Sequence, residues 1–286
     1  MQALPTLLKV LHRVVLSITK NKYNYKGDYW AAKDFTATID PNHLQAFCSY
    51  FGYKNPMPLT YFYLLAQRAH LGLMVEKAFP VPVIGLVHLE NTITILSAPN
   101  LTKPFEIKAW VHGMPKDGSA PFQFTVVFLQ GEVEVIKCIS LYLCKRKSKF
   151  PKKQKEWPEE PITDGLYNIA FSIAANKGLS YAKLSGDYNP IHTSSLLAKL
   201  FGFKKKIIHG WYTASYVMAE IENQYNIGVR ELSINFQNPL LLPGKAVLNH
   251  SGEITSFKPI NGYNHINFTV SDTNNSLLYV DGQVQY

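Results

Sequence analysis

Two stretches of this chain are apolar on nearly every helical face, and that limits what can surround them. "PMPLTYFYLLAQRAHLGLMV" in the first half and "WYTASYVMAEIENQY" in the second each read as one long helix. In the second, Ala214, Val217, Met218 and Ile221 share a face, and small or apolar residues fill most of the others. A helix of that kind is buried rather than laid on a surface. In both halves alternating segments follow it: "GLVHLENTITILSAP", "TKPFEIKAWVHG", "PFQFTVVFLQG" and "VEVIKCISLYLC" after the first, "VRELSINFQNPLLLPGKAVLNHSGEI", "YNHINFTVSD" and "SLLYVDGQVQY" after the second. These read as antiparallel strands. A strand also precedes each helix, "DYWAAKDFTATID" and "YNIAFSIAAN". The element order repeats although the letters do not, which predicts an α+β chain with one sheet per half, each curled around its own helix.

The halves are separated by "CKRKSKFPKKQKEWPEEPITDG", charged, with three prolines and little apolar periodicity. That is linker composition, and it divides the chain into residues 1–145, a linker at 146–164, and residues 165–286. Its basic run is either a solvated connector or a docking patch for an acidic partner. At the N-terminus, Leu4, Leu7, Leu8, Leu11, Val14, Val15 and Ile18 recur at helical spacing. They form an amphipathic helix that either packs on the body or touches a membrane surface. Lys9, His12 and Arg13 interrupt it too often for a membrane span.

The 286 residues are 47% hydrophobic, enough for a large core without staples. Cys48, Cys138 and Cys144 are odd in number and have no C-x-x-C spacing, which points to a reducing, cytoplasmic setting and away from disulfides or structural zinc. The net charge of +9 admits anionic cofactors, acidic carriers, membrane surfaces or nucleic acid. No zinc-finger spacing, heptad or RNP-type strand supports the last of these. The histidines show no metal-protease pairing, and there is no Gly-rich nucleotide loop.

The chemistry concentrates in "LSGDYNPIHTSS", Leu184 to Ser195. Asn189 precedes a proline and is pushed towards extended backbone. Asp187 and His192 therefore sit on a loop or helix end, where both can face one point, and Gly186 relaxes the chain beside them. An acid beside an imidazole is a proton-transfer couple. The same letters also make a tight turn with an Asx hydrogen bond and a helix cap. Seventeen positions beyond His192, His209-Gly210 stands where the second long helix begins. A helix start offers free N–H groups to a carbonyl oxygen that gains charge. The alternatives are close packing for Gly210 and a structural role for His209. Lys204, Lys205 and Lys206 lie between the two motifs and either meet phosphates or line a solvated loop.

Together, "YAKLSGDYNPIHTSSLLAKLFGFKKKIIHG" resembles the signature of the MaoC-like family: Gly-Asp-x-Asn-Pro-x-His, then about seventeen residues to His-Gly. The family includes (R)-specific enoyl-thioester hydratases and 3-hydroxyacyl-thioester dehydratases. "MPLTYFYLLAQRAHLGLMVEKAFPVPVIGLVHLENTITIL" is similar to the N-terminal half of two-domain bacterial members, and "INFQNPLLLPG" to the strand after the second helix. The likeness covers most of residues 35–286 and is strongest in 181–244. It implies a double hot-dog fold, two antiparallel sheets each wrapped around a long central helix. Asp187 and His192 are then the catalytic pair, Asn189 a supporting polar group, and Gly210 N–H the ligand of the thioester oxygen. His209 and Lys204 to Lys206 fall to substrate binding. The first half has no such motif; "IDPNHL" has similar letters in the wrong order, with Asp40-Pro41 read as a turn and helix start. One site per chain follows, with the first half shaping an acyl tunnel.

The implied reaction is reversible water addition to an enoyl thioester, without metal or cofactor, on acyl groups carried by coenzyme A or the phosphopantetheine of an acyl carrier protein. In dehydration, His192 takes the C2 proton and a protonated Asp187 protonates the departing hydroxyl, a role that requires burial to hold the carboxyl neutral. A hot-dog thioesterase and a non-catalytic acyl-binding subunit are the competing readings. The assembly is either a self-sufficient monomeric pseudo-dimer or a homodimer.

Overall fold

A computed structural model describes residues 2–5, 29–83, 85–114, 120–144, 167–251 and 264–286. The linker at 146–164 and most of the N-terminal amphipathic segment lie outside the described residues. The first half runs β1 (Gln2–Ala3), β2 (Tyr29–Ala37), α1 (Pro41–Phe51), α2 (Leu59–Met74), β3 (Leu86–Ile95), β4 (Phe105–Met114), β5 (Phe122–Gln130) and β6 (Val133–Cys144). The second runs β7 (Tyr167–Ile173), α3 (Lys177–Ser185), α4 (Pro190–Thr193), α5 (Ser195–Leu200), α6 (Gly210–Tyr225), β8 (Glu231–Phe236), β9 (Gly244–His250), β10 (His265–Ser271) and β11 (Leu278–Gln285). No described helix is long and apolar enough to cross a membrane.

The expected repeat of element order is present in space. The first half orders its strands β2-β4-β5-β6-β3 and the second β7-β9-β10-β11-β8, so each places its own strands first, third, fourth, fifth, second. Both halves are antiparallel; β1, which sequence periodicity did not reveal, pairs with β2 in parallel. The expectation of two sheets is corrected. β3 pairs antiparallel with β8, Glu90 opposite Asn235 through Thr94 opposite Glu231, and the described strands form one continuous eleven-stranded sheet. Side chains reinforce that seam: Thr92 Oγ1 lies 3.1 Å from Ser233 Oγ, and Thr94 Oγ1 donates to Glu231 Oε2 at 2.7 Å. An unpaired edge strand is a liability; pairing the equivalent edge strands of the two halves removes one edge from each.

The two apolar helices are buried for the reason their sequences imply. Thirteen of the sixteen residues of α2 are buried, and α2 packs against β2, β3, β4, β5 and α6. Tyr63 of α2 stacks on Trp211 of α6, ring centroids 3.6 Å apart and planes within 11°. Helix α1 starts as read: Asp40 caps it, accepting from Asn42 N–H at 2.9 Å, with Pro41 in the first turn. A second contact ties the halves at the far end of α6. Glu222 is buried there and accepts from Asn55 Nδ2 and Val229 N–H, each at 3.2 Å.

Burial pushes the Glu222 carboxyl up to about 7, against the pull of those two donors. The folded state thus favours the protonated acid. Its contribution is fully present below the unfolded value of about 4.5 and is lost as pH rises through about 7. Glu222→Gln, uncharged at all pH, is expected to raise stability at pH 8 by up to about 3 kcal/mol and to leave it unchanged near pH 4. Urea melts at the two pH values check this; an equal effect at both would show that Glu222 carries no proton linkage.

Candidate functional site

The loop that carries Asp187 is built by local rules. Helix α3 ends at Gly186, in the left-handed region at φ 81°, with its N–H donating to Ala182 O at 2.8 Å. A glycine accepts that conformation without a Cβ penalty. Asp187 N–H then donates to Ser185 Oγ at 3.2 Å, and Asn189 N–H donates to Asp187 Oδ1 at 3.1 Å. Asn189 caps α4, its Oδ1 accepting from Ile191 N–H at 3.4 Å, and Pro190 occupies the first turn where its missing N–H costs nothing. The turn reading and the acid–base reading of this stretch are therefore compatible: the Asx turn and cap are the means by which Asp187 and His192 are placed. Asn189 serves through its backbone N–H and its cap, and both act on the loop.

His192 sits in α4 with Nδ1 3.0 Å from Ile207 O. A carbonyl only accepts, so Nδ1 carries the proton and Nε2 presents a lone pair with no partner among the described residues. His209 is tied the same way, Nε2 2.9 Å from the Asp187 carbonyl oxygen, which leaves Nδ1 as a buried lone pair without a partner. The two imidazoles stack, centroids 3.7 Å apart and planes within 27°. Helix α3 packs closely on α4: a Cβ on Gly178 would lie 2.2 Å from His192 O. Burial lowers His192 below the ordinary imidazole value, against the pull of Asp187 and the Ile207 carbonyl. Burial, then the neighbouring His192, pushes His209 down to about 3.

Asp187 is held the other way. Burial alone would raise its carboxyl; the two histidines, the Asn189 N–H and the side chain of Gln67 outweigh this and leave it below the usual carboxylate range. Gln67 Nε2 donates to Asp187 Oδ2 at 2.9 Å, and Gln67 belongs to α2 of the first half. Burial was expected to favour a neutral Asp187; its four partners act in the opposite direction.

Asp187, His192 and His209 each bring a potential ligand atom within 4.8 Å of the others. One carboxylate and two imidazoles is a metal-ligand composition. The arrangement is not set up for chelation: an imidazole binds metal in its own plane, whereas these rings lie face to face, and each already commits one nitrogen to a backbone carbonyl.

Gly210 begins α6, with His209 as its N-cap and no side-chain cap bond. A Cβ there would lie 2.6 Å from the Phe236 ring, so close packing alone requires glycine. Its N–H has no partner among the described residues and lies at the positive end of a sixteen-residue helix. Lys204 and Lys205 are exposed and Lys206 half-buried, in the turn between α5 and the Ile207–Leu241 bridge. No described hydrogen bond joins them to the cluster.

Gln67 was not found from the sequence. The signal was present: Tyr63, Gln67 and His70 fall one turn apart on a single face of an otherwise apolar helix. Gln67→Leu removes a donor from the carboxylate and is expected to raise the Asp187 pKa in a carbonyl-carbon NMR titration. Gln67→Glu, adding a second negative charge, is expected to raise it further. An unmoved titration in both variants would reduce Gln67 to a packing residue.

Residues 153–269 match the model of the MaoC like domain. The chain is 30% identical over 241 residues to 3-hydroxyacyl-thioester dehydratase X of Mycobacterium tuberculosis, covering 81% of this chain and 85% of that one. A crystal structure of HtdX from the same organism superposes with a TM-score of 0.69 at 25% identity, over 87% of this chain and 98% of the other. A MaoC-like dehydratase from Phytophthora capsici gives 0.63 at 18% identity, over 91% and 95%, and so shows the shared fold. These likenesses make the α+β architecture hot-dog-like, and the identity sustained over most of both chains places this protein in the MaoC-like dehydratase family.

Proposed function

We propose that the chain is a (3R)-hydroxyacyl-thioester dehydratase and trans-2-enoyl-thioester hydratase, with Asp187, His192 and Gly210 N–H as its working groups. The observation that carries this reading is the Asp187 carboxylate and the His192 and His209 rings with polar atoms within 4.8 Å of one another, beside the start of a buried helix. The family relation favours the hydro-lyase class, and the geometry supports a division of labour.

With Asp187 ionised and His192 neutral, the free pair carries one proton fewer than a two-acid scheme needs. One shuttled proton closes the balance. In dehydration, His192 Nε2 removes the C2 proton, and the electron pair moves onto the thioester oxygen, where Gly210 N–H stabilises it. The enolate collapses, the C3–O bond breaks, and the departing hydroxide takes the same proton back from His192 to leave as water. Asp187 accepts a hydrogen bond from the C3 hydroxyl and offsets the charge of the transient imidazolium. Hydration is the reverse. His209 orients the Asp187 backbone and offers Nδ1 as an acceptor to a pantetheine amide N–H or the C3 hydroxyl of the bound substrate.

The first half, without the motif, supplies Gln67 and the cover for the acyl group, so one chain makes one site and serves as its own pseudo-dimer. Lys204, Lys205 and Lys206 meet the phosphates of coenzyme A or of phosphopantetheine on an acyl carrier protein. Reversing the three charges is expected to raise KM about tenfold for at least one carrier; an unchanged KM for both removes the lysines from the site.

Loss of enoyl-thioester absorbance without thiol release, across a chain-length series on both carriers, is the expected result. Thiol release would assign a thioesterase, and neither signal a binding role. Asp187→Asn and His192→Gln should each lower kcat by about 10²- to 10⁴-fold with the fold intact; near-normal rates in both would end the proposal. Because both groups are held below their ordinary pKa values, kcat/KM should stay level from pH 8 down through the usual imidazole range and fall only on further acidification. Chelators should leave the rate unchanged, and a chelator-sensitive rate would replace acid–base catalysis with a metal role.

A further inference from the structure

Beside the proposed site lies a second set of polar rings that the reaction above does not use. Tyr63 and His70 of α2, His88 of β3, Tyr142 of β6 and Trp211 of α6 are in continuous ring contact. Tyr63 lies on Trp211 at 3.6 Å, His88 on Tyr142 at 4.4 Å, and His70 against Tyr142 at 5.9 Å between centroids. The Tyr63 hydroxyl is 3.3 Å from His88 Nδ1 and 3.2 Å from the Tyr142 hydroxyl, which satisfies both phenols and one nitrogen. Four buried nitrogens have no partner among the described residues: both of His70, Nε2 of His88 and Nε1 of Trp211.

An unmade hydrogen bond at a buried polar atom is destabilising, and a phenylalanine or leucine would fill the same space without that cost. The cluster is also uncharged. Burial pushes His88 down to about 3 and His70 well below the ordinary imidazole value. A neutral imidazole offers one N–H and one lone pair, and indole offers one N–H. Mixed donors and acceptors without charge suit a hydroxyl or keto oxygen. They do not suit a carboxylate or phosphate, which would call for a cation, or a bare hydrocarbon.

Its position points to the acyl group. Trp211 directly follows Gly210. The His88 ring lies 5.0 Å from Phe236, whose ring closes over Gly210. Tyr63 stands one turn before Gln67, which holds Asp187. The cluster therefore adjoins the proposed site through α2 and α6.

We propose that this cluster is a polar subsite for a further oxygen on the acyl group, and that the substrate carries, beyond its C3 hydroxyl, a hydroxyl or oxo group along the chain rather than plain hydrocarbon. The inference rests on the hydro-lyase reading for where the acyl group lies and goes beyond it in naming the acyl class. The test is calorimetric binding of two unreactive S-alkyl thioethers of equal length, one plain and one with a mid-chain hydroxyl, each on coenzyme A and on an acyl carrier protein. The hydroxylated compound is expected to bind the native protein at least about tenfold more tightly. His88→Phe and Trp211→Phe should each shrink that preference to about threefold or less. Equal or reversed affinity in the native protein, as water at these nitrogens would give, overturns the proposal. So does a preference that survives both variants, or no binding on either carrier. The native comparison decides even if a variant fails to fold. The enoyl-thioester assay fails or succeeds independently, so loss of the hydro-lyase reading is told apart from loss of the subsite.

Discussion

The rest of the structure depends on the mutual burial of two helices that have almost no polar face. Neither α2 nor α6 can be covered by one sheet face alone, because a sheet shields one side of a helix and leaves the other wet. Each covers the other, and the Tyr63–Trp211 stack is where they meet. Once the helices are paired, the equivalent edge strands β3 and β8 come within hydrogen-bonding distance and join into one sheet. The linkage between halves is therefore a consequence of burying the helices.

That pairing also makes the candidate site. Gln67 reaches Asp187 from the first half because α2 is drawn against the second. A half with no catalytic motif thereby adds one hydrogen bond to the carboxylate of the other, beside the larger pulls of the two histidines and the Asn189 N–H. The two histidines add to this with little freedom of their own: each has one nitrogen committed to a backbone carbonyl, which fixes the tautomer and aims the remaining lone pair. Burial pushes both imidazoles down, while the histidines and then two hydrogen bonds pull the carboxyl down as well, which separates base from electrostatic partner. A proton carried once by His192 then suffices for the reaction proposed.

Much of this was legible in the residues. Asn189-Pro190 requires a chain break and a helix start, and α4 begins there. Asp40-Pro41 does the same for α1. The repeated order of helix and strands appears as two identical strand orders. The parallel β1 was not legible, since two residues carry no periodicity. The single sheet was not either, because pairing between β3 and β8 depends on partners far apart in the chain. The partners that pull the Asp187 carboxyl down against burial were not legible either, because desolvation can be reasoned from a sequence but its compensating partners cannot. Gly210 has two sufficient reasons, a free N–H and the nearby Phe236 ring, and the sequence suggested both without separating them.

The sequence by itself determined the local matters: where helices start and stop, which helices must be buried, and which acid, imidazole and glycine share a neighbourhood. Each of these is decided by residues within a turn or two of one another, through backbone sterics and apolar periodicity. Only the tertiary structure decided the non-local ones: that the halves share one sheet, that Gln67 completes the surroundings of Asp187, and that uncharged polar rings border the site. Those depend on which surfaces meet, and the desolvation and hydrogen bonds that set a group's charge exist only once they have met.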